Sequence, residues 1–315
     1  MTSKTKKSAK SNKAAEPLGL GELSGVVNVK VEVDERLTQL AEEKKVALIA
    51  FIAPWVSVRV SPVGEVSAAI SLPDEFGIEA LVELLNEAGV RNAYLLVNSP
   101  GGAMSSSYKI ARAIRSTLDH IVSFVPHIAA SGGTLLALTG NEIVMGPMSH
   151  LTPLDVQMRY KGTGVSAATF MRFLTRASKW FERIRPEEAP YPHKRLTDQL
   201  DPLVMEEWSG AMDAAISYVG EILELAGYED SEETAQNLVL RFPTHSYVIT
   251  RDKARQLGLS VKDSEDVKDT WDTMRYWLSK YIFEEEITHC IRYVLPTMGK
   301  ESQDATREEK NATKE

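Results

Sequence analysis

The spacing of apolar positions changes character near residue 150. Before it, short apolar runs alternate with amphipathic stretches. Residues 34–45 are Glu/Lys-rich and predict an exposed helix, and residues 46–52 form an unbroken apolar run that predicts a buried strand. Residues 55–70 alternate loosely around Pro62 and Gly64, as a β-hairpin does. Apolar residues at 78, 81, 82, 84 and 85 draw a helical stripe that Gly89 ends. Three more strands are predicted at 92–98, 120–125 and 142–145, with helices at 104–118 and 134–138 between them. This alternation argues for an α/β fold with a parallel sheet and crossover helices.

After residue 150 the pattern is mostly helical. Residues 166–184 and 202–227 predict long helices. The run SYVI at 246–249 predicts a short strand, Thr250 caps the helix after it, and Gly258 stops that helix. Residues 266–294 predict a final helical region. This half holds Trp180, Trp208, Trp271 and Trp277, candidate anchors for a homo-oligomer interface.

Composition narrows the classes. With 43% apolar and 25% charged residues the chain is neither a disordered polymer nor a coiled-coil rod. Its 315 residues fit two domains or one larger α/β domain with extensions. The net charge of −8 argues against a general nucleic-acid binder, so no nucleic-acid partner is expected. Residues 1–16 carry five Lys and one Glu with no aromatic or branched aliphatic side chain, and predict a disordered basic tail. Residues 299–315 predict a second disordered tail. The single cysteine, Cys290, excludes an intrachain disulfide and a cysteine metal site, and fits a reducing compartment. The longest apolar stretch, residues 46–56, holds Pro54 and falls short of the ~20 residues of a membrane span, so a soluble, cytoplasmic protein is expected. No phosphate-binding loop and no dinucleotide fingerprint occurs, so no cofactor is expected.

The chemistry concentrates in two glycine-rich loops. Asn98-Ser-Pro-Gly-Gly102 and Ala129-Ala-Ser-Gly-Gly-Thr134 each end a predicted strand and open a helix. Loops at the carboxyl ends of parallel strands are the usual place for a site. Ser131 between small neighbours has the setting of a nucleophilic hydroxyl with backbone amides close by. The same serine also fits a plain helix cap; the second loop 29 residues upstream favours catalysis. A hydroxyl nucleophile needs a base, and the candidates are His127, His150, Asp155, Lys161, Lys179, His193 and His245. Each of these alone also fits an ordinary polar position.

Three segments, LLVNSPGGAMSSSYKIARAIR, FVPHIAASGGTLLALTGNEIVMGPMSHLTPLDVQ and FPTHSYVITRDKARQLGL, together resemble the serine dehydrogenase proteinase family. That family lies in the Clp protease and crotonase-like superfamily, alongside signal peptide peptidase A. The resemblance spans roughly residues 70–261. It implies a Clp protease/crotonase-like ββα superhelix, with additional C-terminal helices after it. The implied division is a peptidase domain over 17–262 and a C-terminal helical extension over 263–298. It implies Ser131 as nucleophile and Gly101, Gly102 and Gly132 as backbone oxyanion donors. Where the Clp peptidase carries its histidine, this chain has Leu154 and Asp155. The stretch matching the lysine of the signal peptide peptidase relatives, 166–170, has no lysine. Three arrangements follow: Ser131 with His245, oriented by Asp155; a Ser–Lys dyad using Lys161 or Lys179, with His150 a further alternative base; or an inactive site. The function implied is an ATP-independent serine peptidase acting on peptides or proteins. Its relatives assemble as trimers or larger homo-oligomers, and a separate ATPase or membrane partner is open. The alternatives are a catalytically silent scaffold or adaptor, and a crotonase-like enzyme acting on an acyl thioester. Nothing in the residues supports dehydrogenase chemistry.

Overall fold

A computed structural model describes residues 29–53, 58–61, 64–160, 162–182, 184–199, 201–282 and 290–297. The predicted tails at 1–16 and 299–315, and Lys161, lie outside these residues. The first half runs β1 (Val29–Val31), α1 (Glu35–Lys44), β2 (Ala47–Ile52), β3 (Val58–Ser61), β4 (Gly64–Ser67), α2 (Leu72–Glu87), β5 (Asn92–Asn98), α3 (Met104–Thr117), β6 (His120–Val125), β7 (Ile128–Ala129), α4 (Gly132–Ala137) and β8 (Glu142–Met145). The second half runs β9 (His150–Leu151), β10 (Gln157–Tyr160), β11 (Thr163–Ser166), α5 (Ala167–Phe181), α6 (Tyr191–Thr197), α7 (Pro202–Leu225), α8 (Ser231–Leu240), β12 (Ile249–Thr250), α9 (Arg251–Gln256), β13 (Val261–Asp263), α10 (Lys268–Ile282) and β14 (Cys290–Val294).

The main sheet has seven strands in the order β1-β14-β2-β5-β6-β8-β13. All its pairings are parallel except β14 with β2. Period-two alternation sorts its side chains between two cores. Ile49, Phe51, Leu95 and Val97 point to one face, where Leu81 of α2, Ile110 of α3, Val219 of α7 and Leu238 of α8 cover them. Leu48, Ala50, Ile52, Leu96 and Phe124 point to the other, under Leu37 of α1 and Trp271, Met274 and Trp277 of α10. Covering both faces explains why β2 has no polar position. Asp34 caps α1, its carboxylate accepting from the amides of Arg36 and Leu37 at 3.0 and 3.2 Å.

Two expectations need correction. Residues 263–298 are not a helical extension: α10 ends at Ile282, and β14 inserts into the main sheet, pairing with β2 from Cys290–Ile52 to Val294–Leu48. The run CIRYV is β-branched and aromatic, and all five residues are buried, which fits a central strand. The tryptophans are also not free anchors. Trp208, Trp271 and Trp277 are buried in the cores, and Trp180 stacks on His193 at 4.2 Å between ring centroids. Among the described residues, no helix is long and apolar enough to cross a membrane.

Candidate active site

The two glycine-rich loops lie side by side, the first at the carboxyl end of β5 and the second at that of β7, the short strand that follows β6. Ser99 N–H donates to Ile128 O at 3.1 Å and Ala130 N–H to Ser99 O at 2.9 Å, so the loops are bonded to each other. The segment before α2 runs along the outer side, with Ile70 N–H donating to Gly101 O at 2.8 Å and Ala103 N–H to Ile70 O at 2.9 Å. The glycines are required by this crowding. A Cβ on Gly101, whose φ is +95°, would stand 2.5 Å from Ala130 O, and one on Gly132 would stand 2.2 Å from Ser107 Oγ.

Ser131 sits at the strand-to-helix turn with φ 48° and ψ −119°. A non-glycine residue at positive φ pays of order 1–3 kcal/mol, a strain that concentrates at functional sites. The sharp turn presents a serine hydroxyl outward, as in nucleophile elbows. Its side chain makes no capping bond to α4, so the plain helix-cap reading does not hold. The Ser131 N–H donates instead to Thr152 Oγ1 at 2.9 Å.

Ser131 opens into a cleft also lined by Ala68, Ala69, Pro100, Gly101, Gly102, Gln157 and His245. His245 therefore arrives from ninety residues further along the chain than Asp155, its partner at the wall. The His245 Nδ1 lies 2.5 Å from Asp155 Oδ1. Asp155 is buried, while the His245 side chain is 36% exposed and so keeps one edge open to the cleft. The second carboxylate oxygen of Asp155 accepts from Gln157 Nε2 at 3.1 Å. The Asp155 loop is tied down by Leu154 N–H donating to Leu238 O at 3.0 Å. The His245 loop is tied down by the guanidinium of Arg172 on α5, which donates to Leu240 O and Pro243 O at 3.2 and 3.0 Å.

The three candidate oxyanion amides differ. Gly101 N–H donates to Ser99 Oγ at 3.1 Å, so it is already spent. Among the described residues, the N–H groups of Gly102 and Gly132 have no protein acceptor. They stand close together: a Cβ on Gly132 would be 3.3 Å from Gly102 N. Gly101 shapes the loop, and Gly102 and Gly132 are the amides left available.

The remaining candidate bases fall elsewhere. His150, on β9, pairs with Ile128 of β7, and its ring packs edge-on against His127 at 6.2 Å between centroids. Burial, with the neighbouring His127 adding to it, lowers the His150 imidazole below its ordinary pKa. Neither histidine lines the cleft, nor does Lys179 in the last turn of α5. Sequence reasoning missed Thr152 and Arg172. Thr152 meets Ser131 only through the fold, and Arg172 reads in the sequence as one more basic residue on an amphipathic helix.

Residues 88–178 match the family of ClpP-like SDH-type serine proteinases, and this segment spans both glycine-rich loops and Asp155. It bears out the resemblance drawn from the sequence. An uncharacterized protein of Methanocaldococcus jannaschii is 27% identical over 169 residues, 53% of this chain and 52% of that protein. The chain thus spans about half the length of the curated relatives it matches. Among solved structures, a 1510-N membrane-bound stomatin-specific protease is similar at a TM-score of 0.41 and 13% identity, covering 64% of this chain and 78% of that one. An enoyl-CoA hydratase/isomerase from Marinobacter aquaeolei is similar at a TM-score of 0.36 and 12% identity, covering 78% of this chain and 82% of that one.

Proposed function

We propose that the chain is a serine peptidase that cleaves peptide bonds without an ATPase of its own. Ser131 is the nucleophile, His245 the general base and Asp155 the group that orients the base. The observation that carries this reading is the 2.5 Å contact between His245 Nδ1 and Asp155 Oδ1, on the cleft into which Ser131 opens. An ionised carboxylate can only accept, so Nδ1 donates to it and Nε2 is left as an acceptor.

The chemistry then follows in two halves. Ser131 Oγ attacks the scissile carbonyl carbon while His245 Nε2 takes its proton. The carbonyl oxygen becomes an oxyanion, and the amides of Gly102 and Gly132 donate to it. The imidazolium returns the proton to the leaving amine, and the C–N bond breaks to leave Ser131 acylated. A water then attacks the ester by the same route, releasing the acid and restoring the hydroxyl.

The reading is tested with a fluorophosphonate, which phosphonylates an activated serine. Intact-mass analysis should find one adduct, mapped to Ser131, and Ser131→Ala should take up none. A peptide-cleavage assay on the same variant should lose activity by around a million-fold. A Ser131→Ala protein that cleaves as fast as the native chain contradicts the assignment.

A further inference from the structure

The Ser131 elbow is strained, and strain of this kind persists only where its surroundings over-determine it. The contacts that hold it converge on one side chain. Among the described residues, Thr152 Oγ1 is the acceptor of the Ser131 N–H, at 2.9 Å. Thr152 is itself fixed. Its N–H donates to Ala129 O at 3.2 Å and faces Thr134 Oγ1 at the same distance, and Thr134 Oγ1 lies 2.9 Å from Thr152 O and 2.7 Å from Ala129 O. Thr134 is fully buried and Thr152 nearly so, which keeps competing water out of this small network. Thr152 also opens the loop that carries Asp155 and leads into β10, which starts at Gln157.

From this geometry we infer that Thr152 is a positioning residue. Its hydroxyl captures the Ser131 amide, holds φ positive, and so aims Oγ into the cleft while leaving the oxyanion to Gly102 and Gly132. The inference rests on Ser131 being the nucleophile. A helix cap would explain neither the direction of the Ser131 N–H nor a positive φ, since ordinary caps are extended. The contact also makes one loop responsible for both ends of the proposed proton path: Thr152 fixes the nucleophile, and Asp155, three residues on, fixes the base.

The test compares Thr152→Val, which keeps the shape and removes the acceptor, with Thr152→Ser, which keeps the acceptor. Fluorophosphonate labelling of Ser131 should slow by about tenfold to a hundredfold in Thr152→Val, the scale of a small misplacement of a reacting group. It should recover to within about threefold of the native rate in Thr152→Ser, by the same scale. For a peptide substrate the loss should fall on kcat with KM unchanged, and the shape of the pH–rate profile should stay native because the Asp155–His245 pair is untouched. If Thr152→Val does not fold, Thr152→Ala serves in its place. A folded variant without the hydroxyl that labels at the native rate overturns the inference. So does a Thr152→Ser variant as slow as Thr152→Val. Should the native chain itself fail to label, the peptidase reading is at fault. A crystal structure of Thr152→Val then decides this point separately: Ser131 at negative φ supports it, and an unchanged elbow overturns it.

Discussion

Two places in the molecule set a buried carboxylate against a basic side chain, and they end differently. At the far end of the sheet, the carboxylates of Glu32 and Asp34 close around Lys280, whose Nζ lies 2.7 and 3.1 Å from them. Glu32 also accepts from Trp277 Nε1 at 3.2 Å and from the Tyr281 hydroxyl, and Asp34 accepts from the Tyr276 hydroxyl at 2.8 Å. Each carboxylate there is surrounded by donors, so the cluster pins α10 to the chain ahead of α1 and presents no open acceptor. At the cleft, Asp155 is equally buried, but among the described residues its partner His245 has no hydrogen bond on its second ring nitrogen, and it lines the same cleft as a serine held in a strained turn. A saturated cluster stabilises a fold; one with a single open valence can move a proton.

The contrast is sharpest in what the carboxylates do when removed. Asp155→Asn keeps the size of the side chain but can donate to Nδ1, favouring the wrong imidazole tautomer. The rate of peptide cleavage should fall by about 10⁴-fold with the melting temperature little changed. Equal losses of activity and stability would assign Asp155 a structural role. Glu32→Ala should do the opposite. It leaves Lys280 with one carboxylate and orphans the Trp277 and Tyr281 donors. An unfolding free energy lower by about 2–4 kcal/mol is expected in denaturant titrations, with the cleavage rate per folded molecule unchanged.

A smaller effect should appear in acid. Burial on its own would raise the Glu32 carboxyl, but the hydrogen bonds from Lys280, Tyr281 and Trp277 outweigh it and bring the group below its ordinary value of 4.5. A depressed carboxyl contributes stability that is fully present above its unfolded value and is lost as pH falls through the folded one. The native chain should therefore lose stability more steeply below about pH 4.5 than Glu32→Gln does. Parallel acid limbs in the two proteins would remove Glu32 from this account.

The two regions also differ in how readable they were. β5, β6 and β8 follow the sequence directly, because each is a short, mostly apolar run, broken in β6 only by the buried Ser123. The turn at Ser131 was legible for a similar local reason: a small polar residue followed by two glycines at a strand end marks a tight strand-to-helix turn. β14 was not, since five residues after a strongly periodic helix carry too little period of their own, and what makes them a strand is the vacant place between β1 and β2. The strand expected at 246–249 is reduced to Ile249–Thr250, because only these two residues reach a partner, β9. The pairing of His245 with Asp155 could be proposed from the resemblance, but its distance and the burial of the acid depend on two loops anchored by α5 and α8. Thr152 shows the limit most plainly. Its hydroxyl acts on an amide 21 residues away, and no local pattern marks it.

The central claim is that an Asp155-oriented His245 activates Ser131, and its most direct measurement is the rate of fluorophosphonate labelling of Ser131 in the native chain and in His245→Gln. With both proteins folded by circular dichroism, the native chain should label at Ser131, and His245→Gln should label about 10²–10⁴ times more slowly, the usual contribution of a general base. A His245→Gln protein that labels at the native rate would contradict the claim and return the base to another residue.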